Sequence, residues 1–263
     1  MVDAVMRNPL VIICLSLILF VGCATEAIPA ALESDCTSPG TVLRGEVSEA
    51  SRGYPYTFGI YLPPCYNSAA DPGYPAIYLV PGRGSGVNAW FAAGVNEIAD
   101  ELILAGEVPS FIIVTTENTN TDPYADEIYQ DLIPYIENHY PVLTDRRHRA
   151  VAGGSLGGIA AYRLTFQHPA DFASAGMFGS GVINGENDQV IEWLSAITAK
   201  TQPRVFLNVG EQDPLMLDQA RAMAAILDDA GISHEFIVGE GAHTYEYWVT
   251  NFATYLRWVA QDW

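Results

Sequence analysis

Ser155 stands in Gly153-Gly154-Ser155-Leu156-Gly157, between an apolar run and a run with helical character. His148-Arg149-Ala150-Val151-Ala152 has the composition of a short buried strand, and Gly158 to Phe166 that of a helix. A serine on a glycine-flanked strand-to-helix turn is suited to nucleophilic attack. Such a turn strains the serine backbone, and side chains two residues to either side would strike the adjoining strand and helix, so glycine is required there. The helix start aims its free N–H groups at the place where an oxyanion develops.

A serine hydroxyl is a weak nucleophile until a base removes its proton. The chain has five histidines. His139 lies at a helix end, His148 at the amino end of the serine's strand, His168 after the serine's helix and His234 at the amino end of the last strand; these read as structural or solvent-exposed. His243 follows the last strand in Val238-Gly239-Glu240-Gly241-Ala242-His243-Thr244, on the carboxyl edge that also carries Ser155, and is expected to be the general base and acid. The imidazolium needs an acid to orient and stabilise it. With a serine turn of this kind the chain order is serine, acid, histidine, which points to Asn208-Val209-Gly210-Glu211-Gln212-Asp213-Pro214. Asp213, before a helix-opening proline, is preferred to Glu211; Asp218, Asp228 and Asp229 read as a solvated helix face. The expected oxyanion donors are the backbone N–H groups of Leu156 and of Arg83, the latter in the loop Val80-Pro81-Gly82-Arg83-Gly84-Ser85-Gly86. That loop lacks the G-K-[ST] ending of a phosphate cradle. Trp90 is a candidate lining for an acyl pocket, with a buried core position as the other reading.

These residues need a scaffold that brings loops to one edge. Thr41–Ser48 and Tyr56–Leu62 alternate as antiparallel strands do. Apolar strands and amphipathic helices then take turns. The strands are expected at 76–80, 111–115, 148–152, 173–178, 204–209 and 235–238. The helices are expected near 95–105, 124–139, 158–166, 190–199 and 215–230, with a final one over 245–261. The alternation predicts an α/β fold, a mostly parallel doubly wound sheet with antiparallel N-terminal strands. Sites in such sheets lie beyond the carboxyl ends of the strands. The 263 residues suit one domain, and 49% hydrophobic content supports a full core. Net charge is −19, and Lys200 is the only lysine among 12 basic residues. So acidic a surface disfavours nucleic acid and anionic membranes as partners.

Residues 1–22 read as a signal peptide: Arg7 supplies a positive start, and Leu10 to Val21 form an apolar run shorter than an ordinary membrane span. Leu19-Phe20-Val21-Gly22-Cys23 resembles a bacterial lipobox, with Phe20 where an aliphatic residue is usual, and makes Cys23 a candidate for lipidation. Residues 23–40 read as a tether and 41–263 as the folded domain. Export into an oxidising compartment would pair the two remaining cysteines, Cys36 and Cys65, in a disulfide worth roughly 3 kcal/mol on the chain-entropy model. With no C-x-x-C or H-E-x-x-H motif, no metal site is expected.

Several separated stretches together resemble one family. They are Asp131-Leu132-Ile133-Pro134-Tyr135-Ile136-Glu137 with Tyr140-Pro141, Ala152 to Gly158 with His168-Pro169 and Phe172, Gly210-Glu211-Gln212-Asp213-Pro214, and His243-Thr244-Tyr245-Glu246-Tyr247-Trp248. From about Arg44 onward the chain resembles the putative-esterase family of α/β-hydrolases. That group includes feruloyl and acetylxylan esterases, enterochelin esterase-like proteins, S-formylglutathione hydrolase and the mycolyltransferases. The resemblance implies an α/β-hydrolase fold, supports Asp213 over Glu211, and puts Arg83 where an oxyanion donor usually sits. Tyr245 and Trp248 join Trp90 as substrate-pocket candidates. Pro81 departs from the pattern, because many members carry histidine or aspartate there. The expectation is a cofactor-independent, exported serine esterase acting on small or polysaccharide-linked esters. Its membrane contact would be no more than a lipid anchor. The alternatives are an acyltransferase of the same fold or a non-catalytic, surface-tethered binding protein.

Overall fold

Ala76 to Val80 is buried at every position, and its side chains alternate between two cores. Ile77 and Leu79 join one face of the sheet, while Ala76, Tyr78 and Val80 join the other. A strand covered on both sides has no place for the polar-apolar alternation of an exposed sheet. This is a computed structural model, and it describes residues 36–48, 50–51, 53–118 and 124–263. The expected signal segment, Cys23 and most of the tether lie outside the described residues. The last tether residues are anchored: Cys36 is disulfide-bonded to Cys65, and the Gly40 N–H donates to Asp100 at 2.7 Å.

The strands are β1 (Thr41–Val47), β2 (Tyr56–Leu62), β3 (Ala76–Val80), β4 (Ile112–Thr116), β5 (Arg149–Gly154), β6 (Ser174–Phe178), β7 (Arg204–Gly210) and β8 (His234–Gly239). They form one sheet in the order β1-β2-β4-β3-β5-β6-β7-β8. β2 runs antiparallel to both of its neighbours, and every pair from β4 to β8 is parallel. β3 and β5 are central, so the loops that follow them meet at mid-edge.

The helices are α1 (Ala89–Ala92), α2 (Val95–Leu104), α3 (Tyr124–Glu127), α4 (Ile133–His139), α5 (Leu156–Gln167), α6 (Asn187–Ser195), α7 (Leu217–Asp229), α8 (Tyr245–Thr250) and α9 (Phe252–Val259). Residues of α1, α2, α8 and α9 pack on one face with Phe178 and Phe206. Residues of α5, α6 and α7 pack on the other with Met177, Val205 and Leu207.

Two expected single helices are interrupted. The 124–139 run passes through a π turn, Ile128–Leu132, immediately before Pro134. Proline has no N–H to donate to the carbonyl four residues back, so the ladder shifts register there. The 245–261 run breaks at Asn251 (φ −105°, ψ 9°). There the Thr250 hydroxyl donates to the Tyr247 carbonyl at 2.6 Å, and Asn251 Nδ2 donates to that hydroxyl at 3.2 Å. Side-chain bonds of this kind compete with the helix ladder. α6 starts at Asn187, one turn earlier than its apolar pattern suggests, because acidic Asp188 suits a first turn.

Candidate active site

Ser155 sits between β5 and α5 with φ 54° and ψ −119°, a conformation that costs free energy for any residue with a side chain. Its own N–H donates to the Phe178 carbonyl at 2.8 Å, which ties the turn to β6. The flanking glycines are needed for contact reasons. A Cβ on Gly153 would lie 2.4 Å from the Gly157 carbonyl carbon, and one on Gly157 would lie 2.2 Å from the Val80 oxygen. The helix therefore starts against the end of β3 and Pro81. Among the described residues the Leu156 N–H has no hydrogen-bond acceptor.

Asp213 and His243 come together from neighbouring strands. Asp213 is 1% exposed, and its two carboxylate oxygens have separate tasks. Oδ1 accepts from the N–H groups of Leu215 and Met216, both at 3.0 Å, and Oδ2 lies 2.7 Å from His243 Nδ1. An acceptor at Nδ1 fixes the tautomer that leaves Nε2 able to take a proton. Glu211, the rival acid, is exposed. The two loops are also cross-bonded. The N–H groups of Glu211 and Gln212 donate to the carbonyls of Gly239 and Gly241, each at 2.8 Å, and the Gly241 N–H donates to Gln212 Oε1 at 2.6 Å.

Trp248 connects this pair to the serine turn. A Cβ on Gly154 would lie 2.5 Å from its ring, and one on Gly179 would lie 2.4 Å from its ring nitrogen, so two glycines form the slot that holds the indole. The His243 ring stands edge-on to the same indole at 5.1 Å and 89°. Among the described residues the Ser155 hydroxyl makes no hydrogen bond, to His243 or to any other group. Such bonds are often long in the free enzyme and tighten when substrate binds.

The loop after β3 completes the site. A Cβ on Gly82 would lie 3.6 Å from the Ser155 Cβ, so the Gly82–Arg83 backbone passes beside the serine. Asn118 Nδ2 donates to the Pro81 carbonyl at 3.0 Å and the Asn118 N–H to the Ser85 carbonyl at 2.9 Å, holding the loop from β4. Arg83 is exposed, and among the described residues its N–H has no acceptor.

Residues 49–259 match the family described as "Putative esterase". The chain belongs to this esterase family. Among its relatives is an endo-1,4-beta-xylanase/feruloyl esterase of Xylanibacter ruminicola, 26% identical over 216 residues. That match covers 75% of this chain but 28% of the relative, so the chain spans little more than a quarter of the larger protein. A ferulic acid esterase structure superposes with a TM-score of 0.75 at 23% identity, over 85% of this chain and 98% of the other. A mutant of the feruloyl esterase module from Clostridium thermocellum, complexed with sinapinate, gives 0.73 at 19% identity, over 86% and 90%. The fold is that of an α/β-hydrolase.

Within this esterase-family fold the other histidines stand apart from the site. His139 stacks on Tyr135, His168 stacks on Tyr129, His148 pairs with Asp145, and His234 Nδ1 lies 3.0 Å from the Ile232 carbonyl. Of the two sequence readings of Trp90, pocket lining and buried core position, the geometry agrees with the second. Trp90 is 0% exposed, its indole N–H donates to the Val80 carbonyl at 3.1 Å, and its ring packs on Phe178, Tyr245, Trp248 and Phe252. It supports the site from below. Trp248 is nearly as buried, at 3%, whereas Tyr245 is partly exposed.

Tyr247 and Gln212 carry structural duties that the sequence reading missed. The Tyr247 hydroxyl donates to the Val209 carbonyl at 2.7 Å and accepts from the Gly239 N–H and Asn208 Nδ2, each at 3.1 Å. It thus spans the ends of β7 and β8, from which the Asp213 and His243 loops depart. Burial raises this phenol above its ordinary value, so it remains a donor at neutral pH.

Proposed function

We propose that this chain is an exported serine esterase that cleaves carboxylic esters through an acyl-enzyme, with Ser155, His243 and Asp213 as its triad. The observation that carries the reading is the 2.7 Å Asp213–His243 pair, at the same sheet edge as a serine held at φ 54°. His243 Nε2 takes the hydroxyl proton as Ser155 Oγ attacks the ester carbonyl, and the carbonyl electron pair moves onto oxygen. The N–H groups of Arg83 and Leu156 receive that oxyanion. Collapse breaks the bond to the alcohol, which leaves with the proton from His243. Water repeats the attack on the acyl-enzyme, releasing the acid and returning the proton to Ser155. Asp213 stays ionised throughout and stabilises the imidazolium.

The proposed substrates are feruloyl or acetyl esters of polysaccharides, a choice supported by the feruloyl esterases among the relatives. The Cys36–Cys65 disulfide supports an oxidising compartment, either the periplasm or the cell exterior. Lipidation at Cys23 belongs to the same proposal. The purified chain is to be assayed on aryl, acetyl and feruloyl esters, alone and as Ser155→Ala. The substitution is expected to lower p-nitrophenyl acetate turnover by at least about 10⁴-fold. Hydrolysis that survives it rejects the serine mechanism. Turnover of aryl acetates without any of feruloyl or acetyl polysaccharide esters rejects the substrate assignment alone.

A further inference from the structure

Tyr245 opens α8, two residues after His243, and reaches across the site. Its ring is held edge-on by Trp90 at 5.0 Å and by Trp248 at 4.8 Å, which sets the direction of its hydroxyl. That hydroxyl accepts the Gly82 N–H at 3.0 Å. A Cβ on Gly82 would lie 3.7 Å from the Tyr245 oxygen, 3.6 Å from the Ser155 Cβ and 3.5 Å from the Gly154 carbonyl. The absent side chain therefore leaves a small space bounded by the phenol, the serine turn and the Gly82 backbone.

The hydrogen inventory of this corner is uneven. A phenol has one proton to donate and also accepts. The Tyr245 oxygen has taken the Gly82 proton, and among the described residues its own proton has no acceptor. Donation from Gly82 polarises the O–H and makes it a better donor in turn. The neighbouring N–H groups of Arg83 and Leu156 are equally without acceptors among the described residues.

We propose that Tyr245 is a catalytic residue whose hydroxyl supplies a third hydrogen bond to the oxyanion, alongside the N–H groups of Arg83 and Leu156. This rests on the serine-esterase reading above. As Ser155 Oγ bonds to the carbonyl carbon, the carbonyl electron pair moves to oxygen and the Tyr245 O–H donates to it. The Ser155 proton goes to His243, and Tyr245 keeps its own throughout. A donor to a charged oxygen is stronger than one to a neutral carbonyl, so this bond acts chiefly in the transition state. The aromatic packing fixes its direction before substrate arrives, as such stabilisation requires.

Tyr245→Phe tests this by comparing an aryl acetate with its thiono analogue, in which sulfur replaces the carbonyl oxygen and accepts hydrogen bonds poorly. The expected result is a fall in kcat of about 10- to 100-fold on the oxo-ester, with KM within about twofold. The thiono-ester should lose much less, so the oxo-to-thiono rate ratio collapses while the melting temperature holds. An equal loss on both substrates would mean that the phenol only shapes the Gly82 turn, and that overturns the proposal. So does an unchanged kcat on the oxo-ester. Ser155→Ala, assayed in parallel, separates the two readings. Its loss of activity beside an unaffected Tyr245→Phe leaves the esterase standing without the third donor, and its retention of activity removes both.

Discussion

The two sides of the cleft treat their polar groups in opposite ways. On the β7–β8 side, both oxygens of Asp213, the Gln212 side chain and the Tyr247 hydroxyl all hold protein partners. On the β3–β5 side, the Arg83 and Leu156 N–H groups and the Tyr245 proton have no acceptor among the described residues. The groups that hold the Asp213–His243 pair in place are bonded, because a buried polar atom without a partner costs about 1–3 kcal/mol, although among the described residues Asn208 Oδ1 and the Trp248 indole N–H are buried without one. Groups that must meet a substrate are left open, at a site where substrate or water can reach them. The contrast suggests that damage on the first side affects stability and activity together, whereas damage on the second affects activity alone.

Asp213→Asn strikes the saturated side and is expected to cost more activity than Gly82→Ala or Tyr247→Phe. Asparagine can keep its oxygen on the Leu215 and Met216 N–H groups only by turning its NH₂ towards His243 Nδ1. The imidazole must then carry its proton on Nε2, where it cannot accept one from Ser155. A loss of about 10³- to 10⁴-fold in kcat is expected, and steady-state hydrolysis of p-nitrophenyl acetate measures it. Gly82→Ala strikes the open side and comes second. Its Cβ makes ordinary contacts at 3.5 Å or more, so the fold accepts it, but the methyl occupies the space beside the serine and the Tyr245 hydroxyl. Activity should fall about 10²-fold through misplaced substrate, with the melting temperature unchanged. A marked drop in melting temperature would break the comparison, because the open side would then be structural as well.

Legibility in the sequence follows the same division. The serine turn could be read locally, since a side chain on Gly153 would strike Gly157 within the turn, while Gly157 is demanded by the end of β3 against which the turn packs. Asp213 and His243 could be read from the order of elements, because each follows a strand at its carboxyl end. The sheet that carries them was equally plain, since parallel strands buried on both faces leave continuous apolar runs. Tyr247 and Trp90 were less open to this reasoning. Both are aromatic residues on amphipathic segments, and nothing local separates a ring that lines a pocket from one that supports it. Only the pairing of β7 with β8 puts the Tyr247 hydroxyl between Val209 and Gly239. The helix interruptions did leave signals, in Pro134 and in the Thr250-Asn251 pair, but an apolar period of 3.6 residues runs through both and conceals them.

Tyr247→Phe gives the smallest expected change in activity and the finest test of the contrast. Phenylalanine keeps the ring that packs against Gly241, where a Cβ would lie 2.1 Å from the tyrosine ring. It removes the donor to Val209 and the acceptor for Gly239 and Asn208, leaving backbone groups at the ends of two strands without that partner. The cost should be about 1–3 kcal/mol, a fall of roughly 2–12 °C in melting temperature for a domain of this size. The Asp213–His243 bond survives in the variant, but the loops that carry it separate more readily, so kcat should fall only a few-fold. Thermal melting and p-nitrophenyl acetate kinetics on one preparation decide the matter. If Tyr247→Phe loses stability and some activity while Gly82→Ala loses activity alone, the two sides are distinct in energetics as well as in hydrogen bonding. If Tyr247→Phe melts unchanged, the hydroxyl is replaced by water and the saturated side is less tightly built than its bonds suggest.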